Sequence, residues 1–233
     1  GAIKYEKCEF KDVTDIQTIA LEIRRQLLDP NHPDLALSYN NIGAIQLYTG
    51  KYQTALLMFQ KSYEIRLEAY GRFHGLVAQS LNNMGVTHKY LDNKDEAKQC
   101  LEKALEIGTN MLGEKHSFIG TIKANLSSLE SDLGNYIGAF DLGNEALSIS
   151  SNTIGDNHIL TAKCKMYIGI ALTGLGKFKE AEGYYIESLQ YFESNDDNPF
   201  AAEAYYLLGS LHSKKNESDL ARENYQKAID IYS

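Results

Sequence analysis

The chain has 233 residues and a formal charge of −8, from 23 basic and 31 acidic side chains. That balance disfavours nonspecific binding to nucleic acid or anionic lipid, where affinity comes largely from lysine and arginine. The hydrophobic share of 43% is ordinary for a globular protein, and the sequence holds no apolar run of the ~18–20 residues needed to cross a bilayer.

The sequence repeats itself at a step of 42 residues: Gly43 and Gly85 stand at that interval, as do Ala55, Ala97, Ala139 and Ala181. It therefore reads as a single array, with a partial repeat over 1–32, complete repeats over 33–74, 75–116, 117–158 and 159–199, and a last repeat over 200–233. Gly1-Ala2-Ile3 falls one step before Gly43-Ala44-Ile45, and His32 one step before His74. Residues 1–32 thus read as the end of a repeat whose beginning is missing, the alternative being that Gly1-Ala2 matches by chance. A helix is expected over 11–28, closing at Asp29-Pro30-Asn31-His32-Pro33, with Pro33 suited to a first helical position.

The first complete repeat predicts helices over 33–48 and 51–69. Tyr52, Ala55, Leu56, Phe59, Tyr63 and Leu67 recur at helical spacing, so they form one stripe that faces other helices. Gly50 and Gly71 sit where those helices stop. The second repeat follows with Gly85, Ala97, Leu101, Ala104 and a closing Gly113. The third puts Ser127 where glycine stands elsewhere and Gly143 in the place of Phe59 and Leu101. It is expected to pack least well, because glycine inside a helix costs roughly 1 kcal/mol relative to alanine even before the lost volume is counted. The fourth restores Gly169, Phe178, Ala181 and Tyr185. Asn195-Asp196-Asp197-Asn198-Pro199 is a shortened junction, and a last pair of helices is expected over 199–214 and 218–232. That end shows no polar capping helix, which implies either a fragment of something longer or a face that pairs with another chain, and the second alternative would allow self-association through it.

Two helices per unit, a small residue at 43, 85, 127, 169 and 209, and alanine twelve residues later resemble the tetratricopeptide repeat. The longer unit, with Asn82-Asn83, Ala104-Leu105-Glu106-Ile107 and Gly113-Glu114-Lys115-His116, is similar to the kinesin light chain class of these repeats. The resemblance implies an all-α fold, an α-solenoid wound as a right-handed superhelix, with the first helix of each repeat on the concave surface. Positions three and two before, and one, four and five after, the small residue then line a groove. The expected partner-binding residues are Asn40, Asn41, Tyr48, Asn82, Asn83, Lys89, Tyr90, Asn125, Tyr167 and Tyr206. Asn41, Asn83 and Asn125 form an equally spaced amide ladder that could hold an extended peptide by its backbone, with the tyrosines discriminating side chains. Equally open is a structural role, each asparagine bridging helices within its own repeat.

Lys89 and Lys163 lie in different repeats and at different faces, which argues against a carboxylate clamp of the kind some tetratricopeptide proteins use. His32, His74, His116 and His158 recur at the repeat step, too far apart in stacked helices to share a metal, and read as structural junction residues. His88 and His212 read as packed side chains. Cys8, Cys100 and Cys164 form no CxxC pair, so neither a disulfide framework nor a zinc site is expected, and the protein reads as cytoplasmic. With no phosphate loop or nucleophile elbow, and with Asp196-Asp197 too short for a calcium loop, neither an enzyme nor a cofactor is expected. The function predicted is a protein–protein interaction scaffold that binds a peptide or short helix of a partner in its groove. The alternative is a regulatory or assembly segment of a larger enzyme or effector, packing on its own chain.

Overall fold

The computed structural model describes the backbone of residues 2–194 and 199–232 and the side chains of residues 13–194 and 199–231. The shortened junction over 195–198, Asp196 and Asp197 included, lies outside the described residues. Among those described, eleven helices follow in order: α1 (Ala2–Leu27), α2 (Pro33–Tyr48), α3 (Tyr52–Tyr70), α4 (Gly75–Tyr90), α5 (Lys94–Leu112), α6 (Ser117–Asp132), α7 (Tyr136–Ile154), α8 (Ile159–Gly174), α9 (Phe178–Phe192), α10 (Pro199–Lys214) and α11 (Ser218–Tyr232). The fold is all-α. The chain divides into one compact unit over Lys4–Glu114 and another built on Lys115–Ser233. In the first, α2 packs on α3, α3 on α4 and α4 on α5; in the second the pairs are α6 with α7, α8 with α9 and α10 with α11.

Within each hairpin one residue turns left-handed: Gly50 at φ 76°, Asp92 at 60°, Gly134 at 79°, Gly176 at 75° and Asn216 at 61°. Only glycine, asparagine and aspartate enter this region at low cost, which fixes where the helix breaks. One step before Gly50 the sequence has Cys8, and there the chain stays helical. The helix expected to begin at residue 11 is instead continuous from Ala2 to Leu27.

The four periodic histidines are N-caps. The Nδ1 atoms of His32, His74, His116 and His158 accept from the backbone N–H two residues on, at 3.1, 3.2, 3.1 and 3.0 Å. Each ring supplies the acceptor that serine or aspartate usually gives to the otherwise unsatisfied first turn. His74 is also held by stacking on Tyr70, with ring centroids 4.4 Å apart. His74→Ala is expected to lower stability by about 1 kcal/mol, with His74→Asn recovering most of it. Paired urea denaturation curves measure both.

Each hairpin core is a knob in a hole. A Cβ on Gly43 would stand 2.8 Å from the Phe59 ring, on Gly85 2.7 Å from Leu101, on Gly169 2.6 Å from Tyr185 and on Gly209 2.7 Å from Tyr225. In the third hairpin the pair is inverted. Ser127 takes the hole position, fully buried, and donates to the Ala139 carbonyl at 2.7 Å. Gly143 takes the knob position, where a Cβ would meet Ile168 Cγ1 at 2.8 Å and Ser127 Oγ at 3.1 Å. The expectation that this repeat packs least well is therefore corrected: the space at Gly143 is filled by α8.

A second register between the paired helices changes its chemistry along the chain. Lys61 lies 5.3 Å over the Tyr39 ring, and Lys227 5.3 Å over that of Tyr205. At the same two positions of the third and fourth hairpins, Lys123 pairs with Glu145 and Lys165 with Glu187. Between hairpins, Arg24 donates to Ser38, and the buried Arg66 donates to Ser80 Oγ at 2.9 Å and the Leu76 carbonyl at 3.0 Å. Burial lowers the pKa of Arg66.

Candidate partner-binding face

Helical geometry sorts the expected groove residues. At about 100° per residue, positions six and two before and one and five after the small glycine fall within roughly 60° of arc, while three before and four after turn about 70–90° back toward the buried side. In the Lys4–Glu114 unit the first set is Leu37, Asn41, Ala44 and Tyr48 on α2, and Gln79, Asn83, Val86 and Tyr90 on α4. Tyr48 is 52% and Tyr90 53% exposed, and Leu37 is exposed as well.

Asn40 and Asn82 lie three before the glycine and are drawn inward. Asn82 is only 6% exposed and donates to Asn83 Oδ1 at 3.4 Å. Asn83 Nδ2 in turn donates to Asn40 Oδ1 at 3.0 Å, tying α4 to α2. The amide that Asn83 engages is therefore Asn40, and Asn41 stands beside this pair, half-buried, with no side-chain hydrogen bond among the described residues. Tyr90 is fixed by stacking on Tyr52 of α3, with centroids 5.0 Å apart and planes 8° off parallel, and Lys89 Nζ lies 5.8 Å from its ring. The outward row of this unit carries no carboxylate.

In the second unit Asn125 is half-buried on α6. Tyr167 on α8 is buried, 9% exposed, with Lys163 Nζ 5.9 Å from its ring. Tyr206 on α10 leans on Tyr225 of α11, with centroids 5.6 Å apart. One aromatic was not anticipated. Where Tyr48 and Tyr90 stand on earlier repeats, α8 has Gly174, and the Tyr136 ring from α7 lies where its side chain would be, 2.2 Å from an added Cβ. The absent side chain at 174 was the only signal in the sequence. Leu37 and Gln79, six residues before the small glycine, share this arc and lie outside the positions expected from the sequence.

The sequence pattern of the tetratricopeptide repeat matches residues 14–68, 58–110, 118–194 and 164–233. The chain belongs to the tetratricopeptide repeat family. No curated protein sequence matches it. Among solved structures, this tetratricopeptide array is similar to BtubC (BKLC) from P. vanneervenii, with a TM-score of 0.72 and 16% identity over 96% of this chain and 91% of that one. It is also similar to a Podosopora anserina putative kinesin light chain with nearly identical repeats, with a TM-score of 0.63 and 16% identity over 86% and 96%. A third likeness is to a Rap protein complexed with Competence and Sporulation Factor, with a TM-score of 0.76 and 19% identity over 90% of this chain and 56% of that one. At these identities the likeness is one of fold.

No helix among the described residues is long and apolar enough to cross a membrane, and none of their His, Cys, Asp and Glu groups could hold a metal. His212 is buried, yet it sits in a charged network rather than an apolar pack. Its Nδ1 lies 2.6 Å from Glu217, and Lys215 Nζ lies 2.9 Å from both Glu182 and Glu217. Hydrogen bonds from Lys215 and then His212 hold the Glu217 carboxyl below its ordinary pKa.

Proposed function

We propose that this tetratricopeptide array is a cytoplasmic, non-catalytic protein-interaction scaffold, and that its outward row of amides and tyrosines binds a peptide or short helix of a partner. Stacked helical repeats present extended surfaces of this kind. The observation that carries the reading is the α2–α4 face, where Asn83 and Asn40 lock each other's amides, Asn41 lies beside them, and Tyr48 and Tyr90 flank the row. An amide with both donor and acceptor can pair with either group of a peptide backbone, and tyrosine supplies contact area with a polar tip. The likeness in fold to a Rap protein complexed with Competence and Sporulation Factor supports the reading. The net charge of −8 favours a neutral or basic protein partner over nucleic acid or anionic membrane.

The test uses peptides selected from a random dodecamer display library panned on the full chain. Asn41→Ala is expected to weaken the selected peptides by about 1 kcal/mol, roughly fivefold, and Tyr48→Ala by about 2 kcal/mol or more. Circular dichroism of both variants should match the parent. Undiminished binding by both would show that the outward row of α2 is not where the peptides bind.

A further inference from the structure

Tyr48 and Tyr90 hold the same place in successive repeats, each five residues after its glycine, Gly43 or Gly85. The step from one ring to the next is therefore the step from α2 to α4. The 3.0 Å hydrogen bond from Asn83 to Asn40 ties those two helices side by side, and the axes of neighbouring helices stand roughly 8–10 Å apart. A bound chain that meets both rings in the same way has to present like residues at that interval. An extended strand does not, because its third residue, about 10 Å on, points to the opposite face. An α-helix has its backbone groups already paired and has no use for amides along the row. Polyproline II fits: it turns once in three residues and rises about 9 Å in doing so, with its carbonyls unpaired.

The chemistry of the face selects the same ligand. Both rings are about half exposed, and Tyr90 is held flat against Tyr52, with planes 8° off parallel, which makes it a rigid surface for a residue that is itself rigid. The outward row of α2 and α4 holds no charged residue, and Lys89 Nζ, 5.8 Å from the Tyr90 ring, repels a basic segment. An uncharged segment is the electrostatic match. Asn83 is engaged at both ends of its amide, donating to Asn40 and accepting from Asn82 at 3.4 Å. Asn41 stands beside it with an amide N–H to donate, and the tyrosine hydroxyls donate as well. Proline offers a carbonyl and no N–H, so a run of prolines asks a binding face for donors alone.

We propose that the α2–α4 face takes an uncharged, proline-rich segment in the polyproline II conformation, with prolines three residues apart, one on Tyr48 and the next on Tyr90. The proposal rests on the reading that this face binds a peptide, and it names which kind.

Two labelled decapeptides of one composition, four prolines and six alanines, are titrated into the full chain by fluorescence anisotropy. In the first every third residue is proline; in the second the residues are rearranged so that no two prolines stand three apart. The first is expected to bind about tenfold tighter. Tyr48→Ala and Tyr90→Ala each weaken it about tenfold and bring the two peptides level. Asn41→Asp, which keeps the acceptor and removes the donor, weakens it about fivefold, while Leu57→Ser, at an exposed position on α3, leaves it unchanged. Circular dichroism of every variant should match the parent. Equal binding of the two decapeptides, or binding indifferent to Tyr48→Ala and Tyr90→Ala, overturns the proposal. So does a failure of both decapeptides to bind: if the peptides selected from the display library still lose affinity on Tyr48→Ala, the face binds a peptide of another kind and the broader reading stands, and if they do not, both readings fall.

Discussion

Phe59→Ala is expected to destabilise the Lys4–Glu114 unit by about 3–5 kcal/mol, among the largest single-site effects in the chain. Phe59 is 1% exposed, and its ring fills the hole left by Gly43, so truncation leaves a cavity bounded by a residue with no side chain to collapse into it. The pairing makes a sharper claim about Gly43→Ala. In the parent the new methyl meets ring atoms at 2.8 Å, and the overpacking costs about 1–3 kcal/mol. In the Phe59→Ala background the clash is gone and the substitution gains up to about 1 kcal/mol of helix propensity. Gly43→Ala should therefore reverse sign between the two backgrounds, which a double-mutant cycle by urea denaturation reads directly. The same sign in both would mean that the ring and the glycine do not share one space. Because an array is stabilised between nearest neighbours, the loss should appear first as local opening of α2 and α3, visible in amide hydrogen exchange.

Much of this architecture is written in the sequence at one-residue precision. Helices expected over 33–48 and 51–69 are found at Pro33–Tyr48 and Tyr52–Tyr70, because glycine at the left-handed position leaves the chain little choice of where to turn. At α1 the periodic landmarks persist while the residue that makes the turn does not. Ile3 and His32 keep the register, but Cys8 stands at the turn and does not break the helix. The binding face was legible in part. The exposed Tyr48 and Tyr90 follow from the repeat step, whereas the bond that Asn83 donates to Asn40 depends on how closely α2 and α4 approach. Tyr136 reaches a position that belongs to another helix, and a pattern read one helix at a time has no term for that.

Gly143→Leu separates the two readings of the third hairpin. If Gly143 marked an empty site, leucine, the residue that stands at the equivalent position 101, would fill it and raise stability. In the structure the site is occupied: Ile168 Cγ1 would lie 2.8 Å and Ser127 Oγ 3.1 Å from even the first carbon of a new side chain. Overpacking of this kind costs about 1–3 kcal/mol and occasionally more, and leucine stands at the upper end because its branch must go where Ile168 already is. Ser127→Gly restores the small residue found in the other hairpins, yet it removes the bond to the Ala139 carbonyl and leaves Ile168 in place, so Ser127→Gly with Gly143→Leu should stay well below the parent. Adding Ile168→Ala to Gly143→Leu opens the occupied space itself and should recover part of the loss. Thermal unfolding of the four proteins orders them. A midpoint for Gly143→Leu above that of the parent would show that the third hairpin is loosely packed after all and that the inverted knob leaves a real void.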